Sequence, residues 1–504
     1  MAHGLSDHLL SRLSEFVAKQ TGLHFPRERW GDLERGIRSA APDFDAPDAD
    51  SCAQRLLSAP LARNQIEILA GALTVGETYF FRDQRCFAAL GDRVLPGLIQ
   101  QRQGGERRLR LWSAGCATGE EAYSLAIMLD RVLPDARQWH LTILGTDINS
   151  RFLQKASEGV FGEWSFRDAP VWLKQEYFKE IGRRRFEILP RIKEMVTFAF
   201  LNLAEDAYPS LANNTNAMDV IFCRNVLMYF APERAQKVVH NFHQSLVNSG
   251  WLIVSPAETS AQLFSSFLQV CADDAVLYRK TDQPGLVPAE SFPGKAKAAP
   301  PLDQESGLPE AAFVFGPVAL QESNVSVPPA AEPIGAPGLT TSEEVLALFE
   351  RGHYTEVVQR LKTASARLQA TPETLALLAR ACANLGELAE ARQWVEKAIA
   401  ADKLNAALHY LRANILQEQG ASEEAVACLR RALYLEPDFV LAHFALGNHA
   451  LRQGKGHEAD KHFANALALL ADYQPEAILP CSDGLAAGRL RHLIESAMYV
   501  EKAT

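Results

Sequence analysis

The chain has 504 residues, with 47% hydrophobic and 22% charged side chains and a net charge of -10, too long for one core and ordinary for a water-soluble protein of several domains. The negative balance argues against a nucleic-acid substrate, whose phosphates need a basic surface. No apolar run approaches the roughly 18 residues that span a bilayer, and the amphipathic start MAHGLSDHLLSRLSEF has no signal-peptide layout, so a cytoplasmic protein without membrane insertion is expected.

Cysteines 52, 86, 116, 223, 271, 382, 428 and 481 are scattered, with no C-x-x-C pair or histidine partner pattern. Neither a disulfide framework nor a metal site is expected. Charge is uneven: residues 1–282 carry 32 basic against 34 acidic side chains, residues 283–504 19 against 27.

Residues 5–90 show helical periodicity (Leu9, Leu10, Leu13, Phe16, Val17) and read as an all-helical N-terminal domain, 1–90. From 108 onward β-rich segments alternate with helical ones. Strands are expected at RLRLWSA (108–114), HLTILGTDI (140–148), VTFAFLNL (196–203), DVIFCRN (219–225) and WLIVS (251–255), with helices at EEAYSLAIMLDRVL and RAQKVVHNFHQSLV. Buried apolar strands alternating with helices indicate an α/β domain with a mostly parallel sheet, 91–282.

Residues 283–340 hold 11 of the 26 prolines and read as a disordered linker, so that the chain becomes two folded halves on a tether. Beyond it, glycines recur at Gly352, Gly386, Gly420 and Gly454, and alanines at Ala364, Ala398, Ala432 and Ala466, each 34 residues after the last. That period is the tetratricopeptide repeat's: glycine permits the turn between paired helices, and alanine lets helices approach closely. Repeats are expected over 341–475, with a capping helix within 476–504.

The first α/β strand runs into Gly115-Cys-Ala-Thr-Gly119-Glu120-Glu121, and the second ends at Asp147. A glycine-rich turn at the carboxyl end of a strand admits a ligand to the backbone, and an acid ending the next strand can accept from ribose hydroxyls. Neither G-x-G-x-x-G nor G-x-x-x-x-G-K-[ST] is present. Paired carboxylates at the helix start would repel a pyrophosphate but tolerate a cationic, phosphate-free ligand such as S-adenosylmethionine. First-turn helix stabilisation is the competing reading of Glu120 and Glu121.

ETYFFRD (77–83), LWSAGCATGEEAYSLAIML (111–129), GTDI (145–148), FLNL (200–203) and DVIFCRNVLMYF (219–230) together resemble the CheR-type chemoreceptor methyltransferases over about residues 5–282. The resemblance implies a Rossmann-like methyltransferase domain under the helical domain, with a small antiparallel subdomain inserted at 158–197. It implies S-adenosylmethionine as methyl donor and S-adenosylhomocysteine as product. Implied cofactor contacts are Thr78 and Arg82, Gly115 and Glu120, Asp147 on the ribose, Asn202 and Leu203 by the adenine, and Arg224 with Asn225 near the methionine portion. The family usually has asparagine two residues before the threonine; here that position is Gly76, leaving backbone or water for the contact.

The implied reaction is methyl esterification of glutamate side chains on the cytoplasmic domain of a methyl-accepting chemotaxis receptor. A carboxylate needs no general base at neutral pH; Arg82 is the candidate guide for the acceptor and Tyr229 a second acceptor-site residue. Where amine methyltransferases often carry an N-P-P-Y-type turn, the chain reads Cys223-Arg-Asn-Val. The basic residues Arg183, Arg184, Arg185, Arg191 and Lys193 form a candidate receptor-docking face, with a solvated loop as the plain reading. The repeats would bind a further protein or peptide of unidentified nature. A catalytically weak scaffold acting through those repeats is the alternative function, favoured by Gly76 alone.

Overall fold

A computed structural model describes residues 4–503 apart from 60, 62, 105–106, 134, 205–207, 212, 273–274, 282–289, 292–341, 368–369 and 483. The Pro-rich 283–340 segment therefore lies outside the described residues except for Glu290 and Ser291.

Helices α1 (Asp7–Thr21), α2 (Trp30–Ala40), α3 (Ala49–Ser58) and α4 (Arg63–Leu73) form the N-terminal unit. Ser6 caps α1 and Asp48 caps α3, each accepting from a first-turn N–H. Their apolar stripes meet in one core of Leu10, Leu13, Val17, Leu33, Ile37, Cys52, Leu56 and Leu69. Helices α5 (Gln84–Ala89) and α6 (Leu95–Arg102) lead into the sheet.

The strands are β1 (Arg108–Ala114), β2 (His140–Asp147), β3 (Val160–Gly162), β4 (Phe178–Gly182), β5 (Arg185–Ile188), β6 (Val196–Phe200), β7 (Met218–Phe222), β8 (Leu246–Ile253), β9 (Phe267–Ala272), β10 (Ala275–Lys280) and β11 (Glu290–Ser291). Among the described residues eight of them form one sheet in the order β11-β9-β10-β8-β7-β1-β2-β6. The run β8-β7-β1-β2-β6 is parallel, and β10 pairs antiparallel with both β8 and β9. All of β1 and β7 is buried, as strands covered on both faces must be. Helices α7 (Glu120–Val132), α8 (Ser150–Glu158), α9 (Val171–Tyr177), α10 (Pro190–Lys193) and α11 (Pro232–Ser245) complete this half. The order reverses at β1, which opens a crevice at the strands' carboxyl ends.

Between β2 and β6, strands β3, β5 and β4 make a separate antiparallel sheet. Phe80 anchors it, its ring centroid 4.9 Å from Phe161 and 5.0 Å from both Phe166 and Phe178.

The repeats are helix pairs: α12 (Ser342–Glu350) with α13 (Tyr354–Arg367), α14 (Pro372–Asn384) with α15 (Leu388–Ala401), α16 (Ala406–Glu418) with α17 (Ser422–Leu435), and α18 (Val440–Arg452) with α19 (Gly456–Leu470). Helix α20 (Ala487–Ala503) follows. The periodic alanines Ala398, Ala432 and Ala466 are fully buried between helices.

The repeats do not hang free of the front half. Arg108, the first residue of β1, donates from Nη1 to Glu418 Oε2 (3.2 Å) and from Nη2 to the Gly386 carbonyl (3.3 Å). Arg110 Nη1 lies 3.8 Å from the same Glu418 oxygen, and Asn216 donates to Glu418 Oε1 at 2.8 Å. All four side chains are buried. Gly386 has φ +82°, a left-handed conformation that favours glycine, and a Cβ there would sit 2.8 Å from Arg108 Nη2 and displace it. At the array's start Gln244 donates to the Arg351 carbonyl (2.5 Å). At its end Arg489 of α20 donates to the Phe200 carbonyl (2.6 Å) and stacks 3.9 Å from that ring. A cleft of about 1760 Å³ remains between strands β2 and β6 and the helices α16, α18 and α20.

Candidate active site

A smaller cavity of about 270 Å³ lies at the crevice, lined by the ends of β1, β2, β6 and β7 and by the 73–82 segment of the N-terminal motif. Its floor is stitched by main chain. Gly115 and Cys116 N–H groups both donate to the Thr146 carbonyl, at 2.7 and 2.9 Å, which closes the glycine-rich turn onto β2.

Asp147 ends β2 inside this turn. Its Oδ2 accepts from Ala117 N (2.9 Å) and its Oδ1 from Asn149 N (2.8 Å). These contacts leave acceptor capacity on the carboxylate. Burial raises its pKa to about 6, with the N–H groups of Asn149, Ala117 and Ile148 pulling the other way.

The two glutamates after the turn part company. Glu121 lines the cavity; its Oε1 accepts from Ser113 Oγ (2.7 Å) and its Oε2 lies 3.8 Å from Arg224 Nη1. Burial raises its pKa, and Arg224 opposes the rise. Glu120, expected to contact the cofactor, is not among the lining residues. Its carboxylate accepts from Thr118 Oγ1 (2.7 Å) and Ser165 Oγ (2.9 Å), bracing the turn against the small subdomain. Successive residues on a helix point about 100° apart, so only one of the pair can face the crevice.

Of the other expected residues, Thr78, Arg82, Gly115, Asn202, Leu203, Arg224, Asn225 and Tyr229 line the cavity together. Several are already engaged. Arg224 donates to the Arg82 carbonyl (2.6 Å) and to Asp83 Oδ2 (3.2 Å), tying the N-terminal motif to the sheet. Asn202 donates to the Thr21 carbonyl (3.1 Å) and accepts from Ala204 N (3.0 Å), which fixes the loop after β6 against α1. Arg82 donates to the Glu77 carbonyl (2.9 Å). Tyr229 is half-buried beneath Arg29, whose guanidinium carbon is 4.9 Å from its ring centroid.

Gly76 lies between the lining residues Val75 and Glu77 without lining the cavity itself. A Cβ there would be 2.5 Å from Phe152 Cζ and 2.9 Å from two more ring atoms. Phe152, from α8, lines the cavity in its place.

Sequence reasoning missed Phe152 and Glu258, and left the role of Glu121 open between ligand and helix stabilisation. Glu258 is buried and accepts from the N–H groups of Asn225 (2.7 Å), Val226 (2.7 Å) and Met228 (3.3 Å) and from Ser255 Oγ (2.6 Å). It holds Asn225 in its left-handed conformation (φ 56°). The signal was Ser255-Pro-Ala-Glu258, a capping box.

The five basic residues of the subdomain do not act as one group. Arg183, Arg184 and Arg185 are exposed at the β4–β5 turn. Arg191 pairs with Asp130 (2.6 Å) and Lys193 donates to the Glu158 carbonyl (2.9 Å), so both brace the subdomain.

The family model described as CheR methyltransferase, SAM binding domain, matches residues 76–274, and two tetratricopeptide-repeat models match 348–415 and 413–454. The chain is 32% identical over 197 residues to a chemotaxis protein methyltransferase of Borreliella burgdorferi, covering 39% of this chain and 68% of that protein. It is 33% identical over 217 residues to chemotaxis protein methyltransferase 1 of Pseudomonas aeruginosa, covering 42% and 77%. Over 442 residues it is 28% identical to the probable biofilm formation methyltransferase WspC of Pseudomonas putida, covering 86% and 92%. The chain belongs to the chemotaxis-type, CheR family of S-adenosylmethionine-dependent methyltransferases, with tetratricopeptide repeats behind the catalytic domain.

Proposed function

We propose that the enzyme methylates glutamate side chains of a methyl-accepting chemotaxis receptor, yielding glutamyl methyl esters and S-adenosylhomocysteine. The observation that carries this reading is the cavity itself: two carboxylates, the buried Asp147 and the part-buried Glu121, and two guanidiniums, Arg82 and Arg224, around one space at the reversal point of the sheet.

The residues present fit a sulfonium nucleoside. Asp147 keeps acceptor capacity for a pair of hydroxyl donors, Glu121 offers negative charge to an ammonium or sulfonium, and Leu23, Leu203 and Phe152 give apolar walls for a purine. When bound, S-adenosylmethionine supplies a methyl group on a positively charged sulfur, ready for displacement.

The acceptor carboxylate is a nucleophile as it stands, so no general base is required. Its oxygen forms the new bond to carbon as the carbon–sulfur bond breaks and the electron pair stays on sulfur, leaving a neutral thioether. The chain's own work is alignment and exclusion of water. Arg82 is assigned to the acceptor carboxylate, because a guanidinium matches that group with two donors; Tyr229 is assigned to the wall beside it. Thr78, Asn202, Leu203, Arg224 and Asn225 are assigned to the cofactor, the last two positioned through Asp83 and Glu258. Arg183, Arg184 and Arg185 are assigned to receptor docking. No helix among the described residues is long and apolar enough to cross a membrane.

The test is transfer of a radiolabelled methyl group to a purified receptor cytoplasmic fragment, followed by mild base. Label released as methanol supports the ester. Cofactor binding without any base-labile receptor label would overturn the acceptor assignment and leave the methyltransferase with another substrate.

A further inference from the structure

Large apolar side chains are exposed around the cavity mouth. Val75 and Met228, both lining residues, are 62% and 52% exposed. Trp164, 70% exposed, stands on the short turn that follows β3. Leaving an indole in water is unfavourable, and a fixed, exposed aromatic is the usual anchor of a protein interface.

Trp164 is held rather than loose. The Arg167 guanidinium carbon lies 4.4 Å from the Trp164 ring centroid and 3.8 Å from that of Tyr79. Arg167 also donates from Nη1 to the Trp164 carbonyl (3.1 Å) and from Nη2 to Glu77 Oε1 (3.1 Å). Glu77 lines the cavity, and its carbonyl accepts from Arg82. A cation stacked on two rings therefore joins the exposed indole to the mouth. Arg167 pairs with the Glu77 carboxylate while Arg82 donates only to the Glu77 carbonyl, so these three side chains carry one positive charge in excess beside the cavity that an acceptor must enter.

We propose that Trp164, presented by Arg167 and Tyr79 and continued by Val75 and Met228, is the docking platform for the acceptor segment. The partner it fits is an acidic polypeptide stretch in which the glutamate to be methylated has apolar side chains beside it. The carboxylate enters toward Arg82 while its apolar neighbours cover the indole and the two aliphatic side chains. The platform does not draw on the basic β4–β5 turn, where Arg183, Arg184 and Arg185 are exposed beside Ile181. The proposal rests on the receptor reading above.

The test compares wild type with Trp164→Ala and Trp164→Glu, measuring KM and kcat on the receptor fragment, cofactor affinity by calorimetry, and the melting curve. The expected result is a KM for receptor raised about tenfold in Trp164→Ala and further in Trp164→Glu, whose charge repels an acidic partner. Cofactor affinity and melting temperature are expected to stay at wild-type values. A receptor KM within twofold of wild type overturns the platform, as does a loss confined to cofactor binding. Wild-type enzyme that binds cofactor yet labels no receptor overturns the receptor reading instead, and this platform with it.

Discussion

The Phe152 ring fills the space that a Cβ on residue 76 would need, with Cζ only 2.5 Å from that position. Gly76 is therefore a packing consequence of Phe152, and its lack of a side chain is no sign of a decayed catalytic domain. The scaffold alternative loses its one supporting feature. Gly76→Asn alone is expected to weaken S-adenosylmethionine binding by displacing the ring into the cavity, a small-to-large change that costs about 1–3 kcal/mol. Pairing it with Phe152→Ala is expected to recover part of that loss. Calorimetric titration of the two single variants and the double variant checks the coupling.

Cofactor affinity should fall in acid. Asp147 must be ionised to accept from two hydroxyls, and burial has raised its pKa to about 6. Protonation below that value removes acceptor capacity, so affinity is expected to be level at pH 7–8 and to drop below pH 6, approaching about tenfold per pH unit. Asp147→Asn is expected to bind weakly and to flatten the profile. Titrations from pH 5 to 8 on both proteins check this.

Adjacent carboxylates should give opposite phenotypes. Glu121→Gln is expected to lower cofactor affinity by about 1–3 kcal/mol, since it removes a charge from the cavity. Glu120→Gln is expected to leave affinity near wild type and to loosen the subdomain, because its partners are Thr118 and Ser165. Affinity measurement paired with limited proteolysis of the 158–197 segment separates them.

Glu418→Ala should uncouple the repeats from the catalytic domain. It strands Arg108 and Arg110, both buried, without their shared carboxylate, a loss of about 3–5 kcal/mol for a broken buried ion pair. One unfolding transition in the wild type is expected to separate into two in the variant, read by calorimetry. Removal of residues 341–504 would expose the same guanidiniums, so the truncated enzyme is expected to be less stable than the full chain.

Legibility followed locality. Strands 108–114 and 140–147 were readable because runs rich in apolar and β-branched residues lead to a glycine-rich turn and to Asp147. The antiparallel β9 and β10 gave a weaker signal, their burial alternating with partial exposure along FLQVCA and AVLYRK. Glu120 and Glu121 look alike in sequence, and only the helix's rotation decides which faces the crevice. Arg108 and Arg110 interrupt an otherwise apolar strand, and their partner Glu418 lies some three hundred residues away on a helix that reads as an ordinary repeat. The chain seemed two halves on a tether for that reason: the bonds that join them are tertiary, and no spacing rule carries them.

An array pinned at both extremities has a fixed span. Arg351 is gripped by Gln244 at one end and Phe200 by Arg489 at the other, with Gly386 seated on Arg108 between them. Repeat arrays ordinarily diverge by duplicating or losing a unit, because each unit touches only its neighbours. Here one unit more or fewer would pull Arg489 off the sheet edge, so the contacts with the catalytic half fix the number of units.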